Sequence, residues 1–146
     1  MLNKLCVEAV KIQLLNTEDA LSVAKYPASG YFIDVSNYER FAFLVAAGAL
    51  DTATTVKVQQ ATAVNGTPKD ITGATITIAD TGDDKWYLIE VETNKLDINN
   101  DYRYVTLDVA GPTGNDYGAI LFLGFNPGSM PVTQGTDKGS SVAIVG

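Results

Sequence analysis

The stretch Ile76-Thr77-Ile78-Ala79-Asp80-Thr81-Gly82-Asp83-Asp84 (ITIADTGDD) has two readings, and the choice between them decides the fold. In one, a strand delivers Asp80 into a turn as half of a catalytic pair of carboxylates that share a proton. In the other, Asp80-Thr81-Gly82 is the corner between two β-strands, where Asp bonds its own backbone and Gly accepts conformations closed to other residues.

The sequence around the motif favours the corner. ITIADTGDD resembles the active-site strand of retroviral-type aspartic proteases, which place two large aliphatic residues before the Asp and a small residue after the Gly. Here Ala79 precedes Asp80, and Asp83-Asp84-Lys85 follow Gly82. Crowded carboxylates oppose one another's ionisation and suit solvent, not a dry dyad. That family's later apolar-Gly element has only a loose echo in Phe122-Leu123-Gly124-Phe125, which runs into Asn126-Pro127-Gly128 instead of a helix. Asp80-Thr81-Gly82 is therefore read as a hairpin turn between a strand at 74–79 and one at 85–92.

Working outward, period-two alternation continues on both sides. Phe41, Phe43 and Val45 alternate with Ala42, Leu44 and Ala46, an all-apolar run expected to be a central strand covered on both faces. Val56 and Val58 alternate with Thr55, Lys57 and Gln59; Tyr87, Ile89 and Val91 with Trp86, Leu88 and Glu90; Val105, Leu107 and Val109 with Tyr104, Thr106 and Asp108. Asn65-Gly66, Asn99-Asn100 and Gly111-Pro112-Thr113-Gly114 punctuate the series at the spacing of short antiparallel strands. The expected fold is all-β: an antiparallel β-sandwich, jelly-roll-like, in a single domain over 31–125. Before it lies an N-terminal arm, 1–30, with a strand at Lys11–Leu15 and a short helix starting at Thr17-Glu18-Asp19-Ala20-Leu21. After it lies an extended C-terminal arm, 126–146, rich in Gly, Pro and Ser, that ends in Val142-Ala143-Ile144-Val145.

Composition removes whole classes of chemistry. The chain has 146 residues, no histidine and one cysteine, Cys6, so histidine-based triads, histidine-ligated metals, an intrachain disulfide and a thiolate zinc cluster are all excluded. Seventeen acidic residues against ten basic ones give a net charge of −7, the wrong sign for nucleic acid or an anionic membrane surface. The opening segment, interrupted by Glu8 and Lys11, does not read as a secretory leader, and a protein made and kept soluble in a cytoplasm is expected. Asp97-Ile98-Asn99-Asn100-Asp101 has the rhythm of a calcium loop, but Tyr102 and Asp108 stand where that loop needs Gly and Glu. No catalytic residue, cofactor or metal site is expected. Tyr102 and Tyr104, with Trp86 as a third, are candidate exposed aromatic contacts for stacking on sugar rings. Val142, Ile144 and Val145 are candidate intersubunit contacts.

Three phrases carry a family resemblance: Ile33-Asp34-Val35-Ser36-Asn37-Tyr38 leading to Ala46-Ala47-Gly48-Ala49-Leu50, Val56-Lys57-Val58-Gln59-Gln60-Ala61, and Tyr102-Arg103-Tyr104-Val105. Together, over about residues 30–125, they resemble small virion proteins of tailed bacteriophages, a group that includes capsid decoration, or cement, proteins. The resemblance implies a non-enzymatic structural protein on the outer surface of an icosahedral head. Its partner would be the major capsid protein, its state a homotrimer, and its location the virion, after assembly in the host cytoplasm. A carbohydrate-binding or receptor-adhesion module of a head fibre or tail is the alternative.

Overall fold

In the computed structural model, which describes residues 6–17, 20–135 and 137, nine strands form two antiparallel sheets. They are β1 (Lys11–Asn16), β2 (Ala24–Tyr26), β3 (Ile33–Asp34), β4 (Tyr38–Ala47), β5 (Thr54–Ala61), β6 (Lys69–Ile78), β7 (Trp86–Glu92), β8 (Tyr104–Ala110) and β9 (Gly118–Pro127). One helical turn, α1 (Cys6–Ala9), precedes β1, and two 3-10 turns, Thr93–Lys95 and Ile98–Asn100, separate β7 from β8.

The first sheet has the order β1-β9-β4-β7 and the second β2-β8-β5-β6, with β3 also pairing with β8. β2 and β3 therefore act as one strand interrupted around Pro27–Gly30. Every connection apart from β2–β3 and β5–β6 carries the chain from one sheet to the other. This is the double-sheet jelly roll, an architecture shared by viral capsid, lectin and cupin domains. The expected sandwich is what the chain forms.

The two sheets fill the core with different residue types. Phe41, Phe43 and Phe122 are fully buried from the first sheet, with Phe43 and Phe122 edge-to-face at 5.5 Å and Phe41 stacked on Phe122 at 6.1 Å. The second sheet answers with Val56, Val58, Val105, Leu107 and Val109, whose branched side chains suit the pleat. Gly124 lies among the aromatics because a Cβ there would sit 2.8 Å from the Tyr38 ring.

ITIADTGDD is a turn, as read, but not a hairpin. β6 ends at Ile78 in the second sheet, the Gly82 amide donates to the Ala79 carbonyl (2.8 Å), and β7 begins at Trp86 in the first sheet. Gly82 is needed for space: a Cβ would meet the Tyr87 hydroxyl at 2.6 Å and Ile78 at 2.8 Å. The left-handed residue of the stretch is Asp84, with φ 55°.

Two other expectations change. Phe41, Phe43 and Val45 enter the core, but Leu44 and Ala46 point to the outer side of the first sheet, where no described layer of the chain covers them. The helix expected from Thr17 does not appear in its described part. Glu18 and Asp19 lie outside the described residues, Ala20 bridges Tyr117, and Leu21 is buried with its amide on the Asp116 carbonyl (2.7 Å). Of the segment read as an N-terminal arm, residues 11–16 and 24–26 supply β1 and β2, one to each sheet.

One carboxylate ties the crossovers together. Asp116 is fully buried and accepts from the Asp51 and Thr52 amides, the Thr52 hydroxyl and the Thr113 amide, each at 2.9 Å. It thereby joins the β4–β5 and β8–β9 connections. Asp83, from the β6–β7 connection, accepts the Leu50 amide at 3.0 Å at the same end of the sandwich. Burial alone would raise the Asp116 pKa, but the donors from Thr113, Thr52 and Asp51 outweigh it and hold the carboxyl below its ordinary value. The stability this contributes is complete above the unfolded carboxylate pKa of about 3.9 and is lost as pH falls through the lower folded value. Asp116→Asn should lower stability near neutral pH by roughly 3 kcal/mol, because several hydrogen bonds lose their charged acceptor. Its urea midpoint should also fall less steeply than the parent's below about pH 4; equal midpoints for the two proteins would contradict this.

Candidate docking surface

The two outward faces of the sandwich have opposite chemistry. On β2-β8-β5-β6, outward Lys25, Asp108, Lys57, Gln59 and Asp70 form one network. Lys25 Nζ lies 2.6 Å from Asp108 Oδ1 and 2.8 Å from Gln59 Oε1; Lys57 Nζ lies 3.0 Å from Asp70 Oδ2; Gln59 Nε2 donates to Asp70 at 2.6 Å. The Gln59 amide and the Lys57 ammonium draw the Asp70 carboxyl below its usual pKa, and the bond to Asp70 raises that of Lys57. Each of these charges has its partner beside it, so this face is finished against water.

The outer face of β1-β9-β4-β7 is apolar. Residues directly opposite in an antiparallel pair share a face, and the register sets Leu14 against Leu121, Leu121 against Leu44, and Leu44 against Leu88. One leucine from each strand thus stands in a single row across the sheet. The next row toward β4's start is Ile12, Leu123, Ala42 and Glu90; on the other side, Ala119, Ala46 and Trp86 align. Ile12, Leu14, Leu88 and Trp86 are 36, 40, 38 and 70 % exposed. Arg40, bonded to Glu90 at 2.9 Å and lying over the Phe125 ring, marks a charged rim. From that last row outward, Ala46 and Ala119 together with Gly48, Ala49 and Tyr117 line a shallow, small-residue depression. Large contiguous apolar patches rimmed by charge mark interaction sites on soluble proteins.

The β1 margin of this face is closed by the chain itself. Residues 132–135 and 137 lie beside β1 on the side away from β9. The Val132 amide bonds the Glu8 carbonyl (3.0 Å), Lys11 Nζ bonds the Thr133 carbonyl (2.7 Å), and Gln134 Nε2 bonds the Val10 carbonyl (2.7 Å). The outward amides of Ile12 and Leu14 are taken by Gln134 Oε1 (3.0 Å) and Asp137 Oδ2 (2.6 Å). Side chains here do for an edge strand what a neighbouring backbone would otherwise do.

The residues singled out from sequence fall elsewhere. Tyr102 lies under Lys69 Nζ at 3.9 Å from its centroid, and Tyr104 lies beside the Arg103 guanidinium at 5.3 Å, so each ring has one face occupied by a cation of its own chain. Neither is near Trp86, which belongs to the apolar face of the other sheet. Asp97 of the calcium-like loop has its carboxylate on Lys69 (2.5 Å) and Asn100 (2.8 Å). Val142, Ile144 and Val145 lie outside the described residues. The leucine row was missed because its members sit far apart in sequence, at 14, 44, 88 and 121, and only the strand register unites them.

Fold and face together define a jelly-roll β-sandwich with one polar and one apolar outer sheet face. No protein-family model matches the sequence, and no curated protein does. Among solved structures, the chain is similar to one in "Structure of infectious bursal disease virus Gx strain", with 11 % identity, a TM-score of 0.34, and coverage of 85 % of this chain and 32 % of that one. A second similar chain, in "Structure of infectious bursal disease virus Gt strain", shows 8 % identity, a TM-score of 0.17, and coverage of 82 % and 40 %. The chain spans about a third of the length of the first of these. Superposition at this level does not define a shared fold.

The division of β4 between core and surface can be measured on adjacent residues. Phe43→Ala should destabilise by about 3–5 kcal/mol, as a buried aromatic lost from a packed core does. Leu44→Ala, one residue on and facing outward, should destabilise by only about 1 kcal/mol. Equal losses in urea titration would mean that the outer face is packed like the core.

Proposed function

We propose that this chain is a non-enzymatic structural protein of a virion that seats the apolar face of its β1-β9-β4-β7 sheet on other proteins of the shell. The observation that carries this reading is the row Leu14–Leu121–Leu44–Leu88, one residue from every strand of an outer face that no described part of the chain covers. Removing such area from water is worth about 25 cal/mol per Å² and is the main driving force of protein association. The opposite face, sealed by its own ion pairs, and the net charge of −7 suit a surface that stays in solvent.

Within that role, the resemblance of residues 30–125 to small phage virion proteins supports a finer station. The chain is a capsid decoration protein, trimeric on the outer surface of an icosahedral head, with the major capsid protein as its partner. Sugar stacking asks for open aromatic faces, and Tyr102 and Tyr104 each have one taken by Lys69 or Arg103.

Purified protein should co-sediment with undecorated shells of its cognate major capsid protein. The double variant Leu44→Asp, Leu121→Asp should bind at least about tenfold more weakly, because it would bury unpaired carboxylates in the contact. Wild-type protein that stays in the supernatant, or a glycan array on which it binds strongly, would overturn the reading.

A further inference from the structure

We infer that the outer edge of β7 is a docking site for an extended peptide segment of another protein, apolar at every second residue and basic between. The segment adds to the first sheet as a fifth, antiparallel strand. This contact lies along the margin of the leucine row and does not depend on the shell role.

The direction of the β7 backbone follows from one hydrogen bond. The Ala47 amide donates to the Lys85 carbonyl at 2.8 Å, so these two residues form a bonded pair. Antiparallel pairs alternate between bonded and non-bonded, and the register runs unbroken from Ala46–Trp86 to Arg40–Glu92. Tyr87, Ile89 and Val91 therefore turn their N–H and C=O groups to β4, while Trp86, Leu88 and Glu90 turn theirs away from it. β7 is the end strand of its sheet. Among the described residues, no group bonds the outward amides of Leu88 and Glu90.

The other edges of the sandwich are obstructed. On β1, Gln134 and Asp137 take the Ile12 and Leu14 amides. β2 and β3 are three and two residues long. β6 is bulged: Thr75 pairs with Lys57 and Asp70 with Gln59, which leaves Ile71–Ala74 opposite Val58 alone, with Gly73 at φ 84°. Capped, short and bulged edges resist strand addition. β7 is a regular strand of seven residues, WYLIEVE, with no proline, lysine or bulge.

The surroundings of the edge select the occupant. Ile71–Ala74 of β6 and Ile89–Glu92 of β7 line a groove on this side of the sandwich. A strand laid on β7 would place its inward side chains beside Ile89, Val91, Ile71 and Ala74, which calls for apolar residues. Its outward side chains would stand beside Leu88, Glu90 and Glu92. Glu90 is bonded to Arg40 from the β4 side, and the two glutamates favour lysine or arginine across from them. A second copy fits less well. Its own β7 would arrive with its inward side chains already in its core, leaving the groove unfilled, and each copy carries a charge of −7. A lone segment satisfies both the edge and the groove, as in strand addition to exposed sheet edges generally.

The probe is a blocked peptide of alternating lysine and valine, seven residues long to match β7. In the full chain, amide hydrogen exchange at Leu88 and Glu90 should slow at least about tenfold when the peptide saturates, while Ile89, already bonded to β4, changes little. In an antiparallel pair the outward-facing lysines direct their amides at β7. N-methylation of the lysine amides should therefore weaken binding at least about tenfold, and N-methylation of the valine amides should leave it unchanged. Unchanged exchange at Leu88 and Glu90 up to millimolar peptide would overturn the inference. Equal binding of both methylated peptides would overturn it by reducing the contact to charge attraction. Protection of the same amides without peptide, rising with protein concentration alongside a dimer in sedimentation, would give the edge to a second copy. The Leu44→Asp, Leu121→Asp variant alters the face and not the edge, so it should bind the peptide as the parent does. Loss of peptide binding in that variant would move the contact to the face.

Discussion

The Asp116 carboxylate is the interaction on which the rest of this sandwich depends. A jelly roll sends the chain repeatedly from sheet to sheet, and at one end the β4–β5, β6–β7 and β8–β9 connections crowd together with backbone amides that need acceptors. Asp116 supplies them for Asp51, Thr52 and Thr113, Asp83 supplies one for Leu50, and the Gly48 and Tyr117 amides bond the carbonyls of Tyr117 and Ala49. Fixing this end sets the phase at which β4, β5 and β9 leave it. That phase decides which residues of each strand meet the core. Had β4 left the corner one residue out of step, Phe41 and Phe43 would face outward and Ala42 and Leu44 inward.

The division of labour between the two sheets follows from that phase. The first sheet spends its aromatics on the core and is left with leucines, alanines and Trp86 outside; the second spends its valines on the core and is left with lysines, aspartates and glutamine outside. Burial of polar groups is resolved throughout: among the described residues, no buried side-chain nitrogen or oxygen lacks a hydrogen-bond partner. The remaining imbalance of the molecule is apolar, and it is concentrated on one side.

Much of the strand inventory was legible in the sequence, because alternation is a local signal: Phe41/Phe43/Val45, Val56/Val58 and Val105/Leu107/Val109 all face the core as the pattern implies. What alternation does not carry is the identity of the layer on the other side. An all-apolar run such as 41–46 looks the same whether its second face meets another part of the chain or another molecule. Turn chemistry has the same blindness. Asp80-Thr81-Gly82 marks a reversal but not the sheet the next strand joins, so a crossover was read as a hairpin. Asp116 was invisible because its partners at 51 and 52 become its neighbours only in the fold, and one acid among the polar residues of a loop stands out in no way. Tyr102 and Tyr104 were legible as half-exposed aromatics, but not the cations that cover them.

The place of β9 has a consequence for how the molecule is made. Residues 118–127 are the last strand in the described chain, yet they lie in the interior of their sheet, between β1 and β4. During synthesis β5 and β6 can pair as soon as they emerge, whereas β1 must wait more than a hundred residues for the partner that joins it to β4. Until then Phe41 and Phe43 lack Phe122, and of the first sheet only the β4–β7 pair can form, with β1 detached from it. Closure of loops this long is slow, and chains with such incomplete sheets are prone to stray pairing. A chain that has emerged without β9 therefore carries an incomplete first sheet, and the arrival of Phe122 joins β1 to β4 and completes the aromatic core in the same event.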